Sequence, residues 1–128
     1  MLAKYLLKEE GWNEAERLIA ARPYTVELAV VEVASAIWRR VTLLGDITPA
    51  TAEALIDCLL EVSDKVLRVE GQGQYLKAAF SIAVERGLTV YDAIYVAQAL
   101  ERRAALATAD AGQARAAMEL GVEAILVR

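Results

Sequence analysis

The sequence predicts an α/β sandwich built on a mostly parallel sheet. Short apolar runs of strand length, Val66–Val69, Ala104–Thr108 and Val122–Val127, are separated by helical stretches of about ten residues or more. That spacing is what parallel strands joined by crossover helices require. The stretch Leu88–Glu101 is apolar on nearly every side, so its helix is expected to be buried between other elements rather than lying over them. No internal repeat, low-complexity linker or second domain interrupts the 128 residues, so residues 1–128 read as one domain with one sizeable core.

The elements follow in order. Met1–Leu7 reads as a short apolar helix ending near Lys8-Glu9-Glu10-Gly11, and a second helix spans Trp12–Ala21 until Arg22-Pro23 stops it. Tyr24-Thr25-Val26 is a brief extended piece. A long helix covers Glu27–Leu44, with Val26, Val30, Val33, Ile37, Val41 and Leu44 at helical spacing. Thr48-Pro49, a cap residue followed by proline at the first helical position, starts a helix that runs to Val62. Ser63-Asp64-Lys65 is expected to turn before the strand Val66–Val69. Gly71-Gln72-Gly73 breaks the chain before a helix over Gln74–Arg86, closed by Gly87. After Leu88–Glu101 come the short buried strand Ala104–Thr108, a helix over Ala111–Leu120 and the final strand Val122–Val127.

Composition narrows the chemistry. Histidine is absent, which removes Ser-His and Cys-His nucleophile pairs and histidine-rich zinc sites. The single cysteine, Cys58, cannot form an internal disulfide and reads as a small core residue. No apolar run approaches the length of a membrane span and no signal segment opens the chain, so a cytoplasmic location is expected. A net charge of −4 argues against nucleic-acid binding by bulk electrostatics. It leaves open a nuclease whose acidic pocket is neutralised by metal.

Three carboxylates stand out. Asp92 has a capping reading, with Thr89 as cap and Asp92 at the third position reaching back. Asp110 has one too, with Gln113 in reply. Both also fall near the carboxyl ends of strands, where α/β sheets hold their ligands. Glu32 has only Leu28, Ala29, Ser35 and Ala36 as helical neighbours, so no local ion pair accounts for it. On such a face a carboxylate is expected to meet a metal ion or an arginine from elsewhere. Three carboxylates without histidine suit a hard cation such as Mg2+ or Mn2+.

These residues resemble the PIN-domain nucleases, especially the VapC toxins of toxin–antitoxin modules. The resemblance runs essentially end to end. It rests on Val31–Arg39, on Leu88–Ala97, on Ala107-Thr108-Ala109-Asp110, and on Ala3–Glu10 as the family's first helix. It implies a three-layer α/β/α fold, metal-dependent cleavage of RNA, a cognate antitoxin partner and a homodimer. Carried over by motif, Glu32, Asp92 and Asp110 fall on three of the family's acidic positions, catalytic and metal-binding, with Thr108 near the substrate pocket. Ser35 stands where the family often has Asn. The larger departure is at the start: the family opens with a central strand ending in Asp-x-Ser, just before the helix that Met1–Lys8 resembles. That strand and its acidic ligand are absent from the sequence. Either the start is misassigned or shortened, or this is a natural variant without the strand. In the second case the protein is an impaired ribonuclease, or an inactive PIN-like module that binds an antitoxin or forms dimers. The gap in the sheet is then closed by rearrangement or by another chain.

The remaining features have plainer readings. Arg39-Arg40 and Arg102-Arg103 sit at helix ends, where positive charge is favourable. Tyr91 and Tyr95, one turn apart, suit core packing or a dimer interface. Trp12 and Trp38 are expected to anchor a core or an interface.

Overall fold

In the computed structural model, which describes residues 1–127, helices alternate with short strands and every strand pair is parallel. The chain divides into two compact units, Met1–Glu70 and the stretch from Gly71 onward.

The first unit contains α1 (Leu2–Leu6), α2 (Trp12–Ala20), β1 (Tyr24–Val26), α3 (Glu27–Thr42), α4 (Pro49–Lys65) and β2 (Arg68–Glu70). Strand β1 pairs with β2, Tyr24 opposite Arg68 and Val26 opposite Glu70. The Arg68 guanidinium lies 4.0 Å from the centre of the Tyr24 ring, and its Nε donates to the Arg22 carbonyl at 2.8 Å. The strand pair is thus clamped by side chains as well as by its ladder. The core gathers Leu2, Leu6, Ile19, Val33, Ile37, Leu59 and Leu67, each worth about 1.5–3 kcal/mol relative to exposure.

Helix α3 is amphipathic as its spacing requires, with Val33 and Ile37 buried and Val30, Ala34 and Val41 half-buried. It stops at Thr42, two residues short of expectation. The amides of Leu43 and Leu44 both bond the Arg39 carbonyl, and Leu44 is left exposed. The turn is held by Arg40, whose Nε donates to both oxygens of Asp46 at 2.7 and 2.8 Å. Helix α4 starts where Thr48-Pro49 predicts, the Thr51 amide donating to Thr48 Oγ1 at 3.2 Å. It continues through Ser63-Asp64-Lys65 instead of turning there. Ser63 folds its hydroxyl back onto the Leu59 carbonyl at 2.7 Å, and Lys65 reaches Glu61 one turn earlier at 3.0 Å.

One core assignment differs in the structure. Cys58 is exposed, because it lies on the face of α4 away from buried Leu59. Trp38 is 54% exposed, next to buried Ile37, which leaves the interface alternative of its expected roles. Trp12 is half-buried, with the Lys8 ammonium 4.1 Å above its ring.

The second unit opens with a 3-10 turn at Gln72–Tyr75, where one continuous helix was expected, and then holds α5 (Leu76–Arg86), α6 (Val90–Arg102), β3 (Leu106–Thr108), α7 (Ala111–Glu119) and β4 (Ala124–Leu126). Gly87, at φ 68°, ends α5 in the left-handed conformation that glycine tolerates best. Helix α6 is the buried element its composition predicts: Ala93, Ile94, Val96, Ala97, Gln98 and Ala99 are all inaccessible. Strand β3 pairs with β4, Leu106 opposite Ala124 and Thr108 opposite Leu126. Tyr91 is 65% exposed, which removes it from the core, while Tyr95 is half-buried. At the end of α6, Arg102 Nε donates to the Tyr75 hydroxyl at 3.2 Å rather than lying free in solvent. No helix of the described residues is long and apolar enough to cross a membrane.

Candidate active site

Asp92 sits in the first turn of α6, where a negative charge is favourable against the helix dipole. Thr89 is the cap residue, and its hydroxyl oxygen accepts the Asp92 amide at 3.2 Å. The return half of the expected capping box does not form. Among the described residues no donor is bonded to the Asp92 carboxylate, which is half-buried. Capping is therefore done by Thr89 and the Asp92 backbone, and the side chain keeps its acceptor capacity.

Asp110 caps α7 directly, its Oδ1 accepting the Gln113 amide at 3.0 Å. Here too the reciprocal bond differs from expectation. The Asp110 amide donates to Thr108 Oγ1 at 3.0 Å, not to the Gln113 side chain. Gln113 is buried, and its amide group points elsewhere. Its Oε1 accepts the Thr108 hydroxyl in a short hydrogen bond, and its Nε2 donates to the Asp92 carbonyl at 2.8 Å. Buried amides are retained only when their polar atoms are matched, and this one is matched on both ends. The result is a closed circuit: Thr108 to Gln113, Gln113 to Asp92 and Asp110, and Asp110 back to Thr108.

The structure thus brings Asp92, Thr108 and Asp110 into one network within the second unit. Thr108 is 6% exposed, and its hydroxyl is occupied on both sides by Gln113 and Asp110. Glu32 belongs to the first unit. It is exposed on α3, so the desolvation cost that made a metal or arginine partner seem necessary does not arise. Among the described residues no group of three or more His, Cys, Asp or Glu side chains is positioned to hold a metal ion.

The network holds a residue whose role the spacing did not reveal. Gln113 was read as a local capping partner, and its actual bonds reach β3 and α6. The available signal was its setting: a lone amide among Ala114, Ala116 and Ala117, all of them buried. Gly112 shapes the same place. A Cβ there would stand 3.2 Å from Asp110 Oδ1, so glycine at 112 spares the capping oxygen a crowding contact. Two carboxylates with no nitrogen or sulfur donor between them are of the donor type that suits a hard divalent cation.

A family model described as the PIN domain matches residues 1–119. Ribonuclease VapC3 of Pyrobaculum aerophilum is 35% identical over 111 residues, covering 85% of this chain and 83% of that protein.

Proposed function

The chain belongs to the PIN-domain family, and from that premise we propose that it is a VapC-like ribonuclease hydrolysing RNA phosphodiester bonds with Mg2+ or Mn2+. The observation that carries the reading is the circuit tying the heads of α6 and α7, with the Asp92 carboxylate uncommitted and Asp110 Oδ2 outside the cap bond. Asp92 and Asp110 would hold the cation, and Glu32 is carried over by motif alone as a further acidic residue for test. When bound, the ion supplies Lewis acidity toward the phosphate and a water of lowered pKa. The residues themselves contribute placement: Thr89 and Asp110 fix the two helix starts, and Thr108 acts through Asp110 and Gln113. No imidazole base is present in the sequence, so water activation is proposed to rest on the bound ion rather than on a histidine. RNA cleavage is expected with Mn2+ and lost in chelator, and to fall at least about a hundredfold in Asp92→Ala. Equal activity in Asp92→Ala would remove Asp92 from the site.

A second reading, a binding module without catalysis, is favoured by a different feature. The first unit carries an open, mainly apolar groove of about 450 Å³ between α3 and α4, with Ile37, Trp38, Val41 and Ile56 on its walls and Glu53 and Asp57 beside them. Such a groove suits an amphipathic segment with basic residues, as a cognate antitoxin would supply in the cytoplasm. Exposed Tyr91 suits a contact in a homodimer. The two readings separate cleanly. Antitoxin binding without metal-dependent cleavage supports the module, and cleavage by the free chain supports the enzyme.

A further inference from the structure

Gln113 is a costly residue to place where it is. A buried amide loses its water, and that loss is recovered only if both its donor and its acceptor find partners. An apolar side chain of the same length would pack beside Ala114 and Ala117 without that requirement. The two partners of Gln113 are also specific. Its Oε1 takes the hydroxyl of Thr108, the residue whose oxygen holds the Asp110 amide, and its Nε2 holds the carbonyl of Asp92 itself. Its own amide donates to Asp110 Oδ1. One residue therefore touches the backbone of one proposed ligand and the carboxylate of the other.

We infer that Gln113 is a positioning residue that sets the relative placement of the Asp92 and Asp110 carboxylates for a divalent cation. The inference rests on the proposed metal-dependent reading. Gln113 does not touch the cation or the RNA. It acts by fixing the first turn of α6 against the start of α7. Thr89 caps α6 from its own strand of chain, but nothing in that cap refers to Asp110. The Gln113 Nε2 bond adds to the packing of α6 on α7 a directional link from the α7 start to the Asp92 turn. Residues that orient metal ligands in this manner typically change affinity by about ten- to a hundredfold when removed.

The test is Mn2+ binding to the full chain, followed by calorimetry and by the paramagnetic signal of the free ion, alongside RNA cleavage. Gln113→Met keeps length and burial but removes both amide bonds, and Gln113→Ala removes the side chain. Ala117→Gly, in the same helix, serves as a control that loosens α7 without touching the circuit. Gln113→Met is expected to weaken Mn2+ binding about tenfold or more and to lower kcat, with KM for RNA within about twofold. Ala117→Gly is expected to lower the melting temperature while leaving Mn2+ affinity unchanged. If the parent chain binds Mn2+ and Gln113→Met binds it equally well, Gln113 is only structural and the inference is overturned alone. If the parent binds no Mn2+ and cleaves no RNA, the metal-dependent reading falls first and takes the inference with it. Should Gln113→Ala fail to fold, Gln113→Met decides.

Discussion

The Asp110 carboxylate does two things that substitution can separate. Its Oδ1 accepts the Gln113 amide and caps α7, and its charge is proposed to face the cation. Asparagine caps a helix about as well as aspartate but brings no negative charge. Asp110→Asn is therefore expected to unfold near the parent's urea midpoint while losing metal-dependent RNA cleavage. Asp110→Ala loses both, with a stability cost of about 1 kcal/mol from the missing cap. Urea titration of both variants beside a cleavage assay checks this. If Asp110→Asn cleaves like the parent, Asp110 is a cap and nothing more. The same division explains why the residue attracted two readings at once, since one carboxylate serves both.

At the level of elements, the clearest dependence is at α4. Thr48 accepts the Thr51 amide and Pro49 occupies the first helical position, so the start of this 17-residue helix is fixed by two neighbouring residues. Thr48→Ala is expected to cost about 1 kcal/mol, read as a lower urea midpoint with an unchanged slope, and Thr48→Ser to recover most of it. Starts of this kind were readable from sequence because capping is local chemistry: Thr48, Thr89 and Asp110 each cap the helix that their spacing announced. Ends were harder. Helix α4 runs past its expected turn because Ser63 and Lys65 find partners one turn back, and α3 stops early because Arg40 and Asp46 hold the turn. The carboxylates at positions 92 and 110 were visible for the same local reason. What Gln113 does was not, since its partners lie 21 and 5 residues away and only the packing of α7 brings them near. Cys58 was misplaced for a related cause: it adjoins a buried residue in sequence, but a helix turns neighbours onto different faces.

For the whole molecule, the proposed cation binding would be linked to folding. An ion that binds the folded chain and not the unfolded one stabilises it by about 2.7 kcal/mol when free metal exceeds its Kd a hundredfold. Spread over the unfolding entropy of 128 residues, that is a rise in melting temperature of about 10 °C if the chain melts as one cooperative body. If Met1–Glu70 and the stretch from Gly71 melt separately, the shift is confined to one of two transitions and is larger there, because a smaller unit has a smaller unfolding entropy. Differential scanning calorimetry with Mn2+, then with excess chelator, distinguishes these outcomes. Chelator is expected to reverse the shift fully, and Asp92→Asn to abolish it while keeping the Thr89 cap, which uses only the backbone of residue 92. Glu32→Gln tests the third proposed ligand. A smaller shift keeps Glu32 in the cluster, and an undiminished one leaves Asp92 and Asp110 as its protein ligands. A chain whose melting ignores Mn2+ at every concentration would leave the Asp110 carboxylate as a helix cap and Asp92 as a first-turn charge, neither of them a metal ligand.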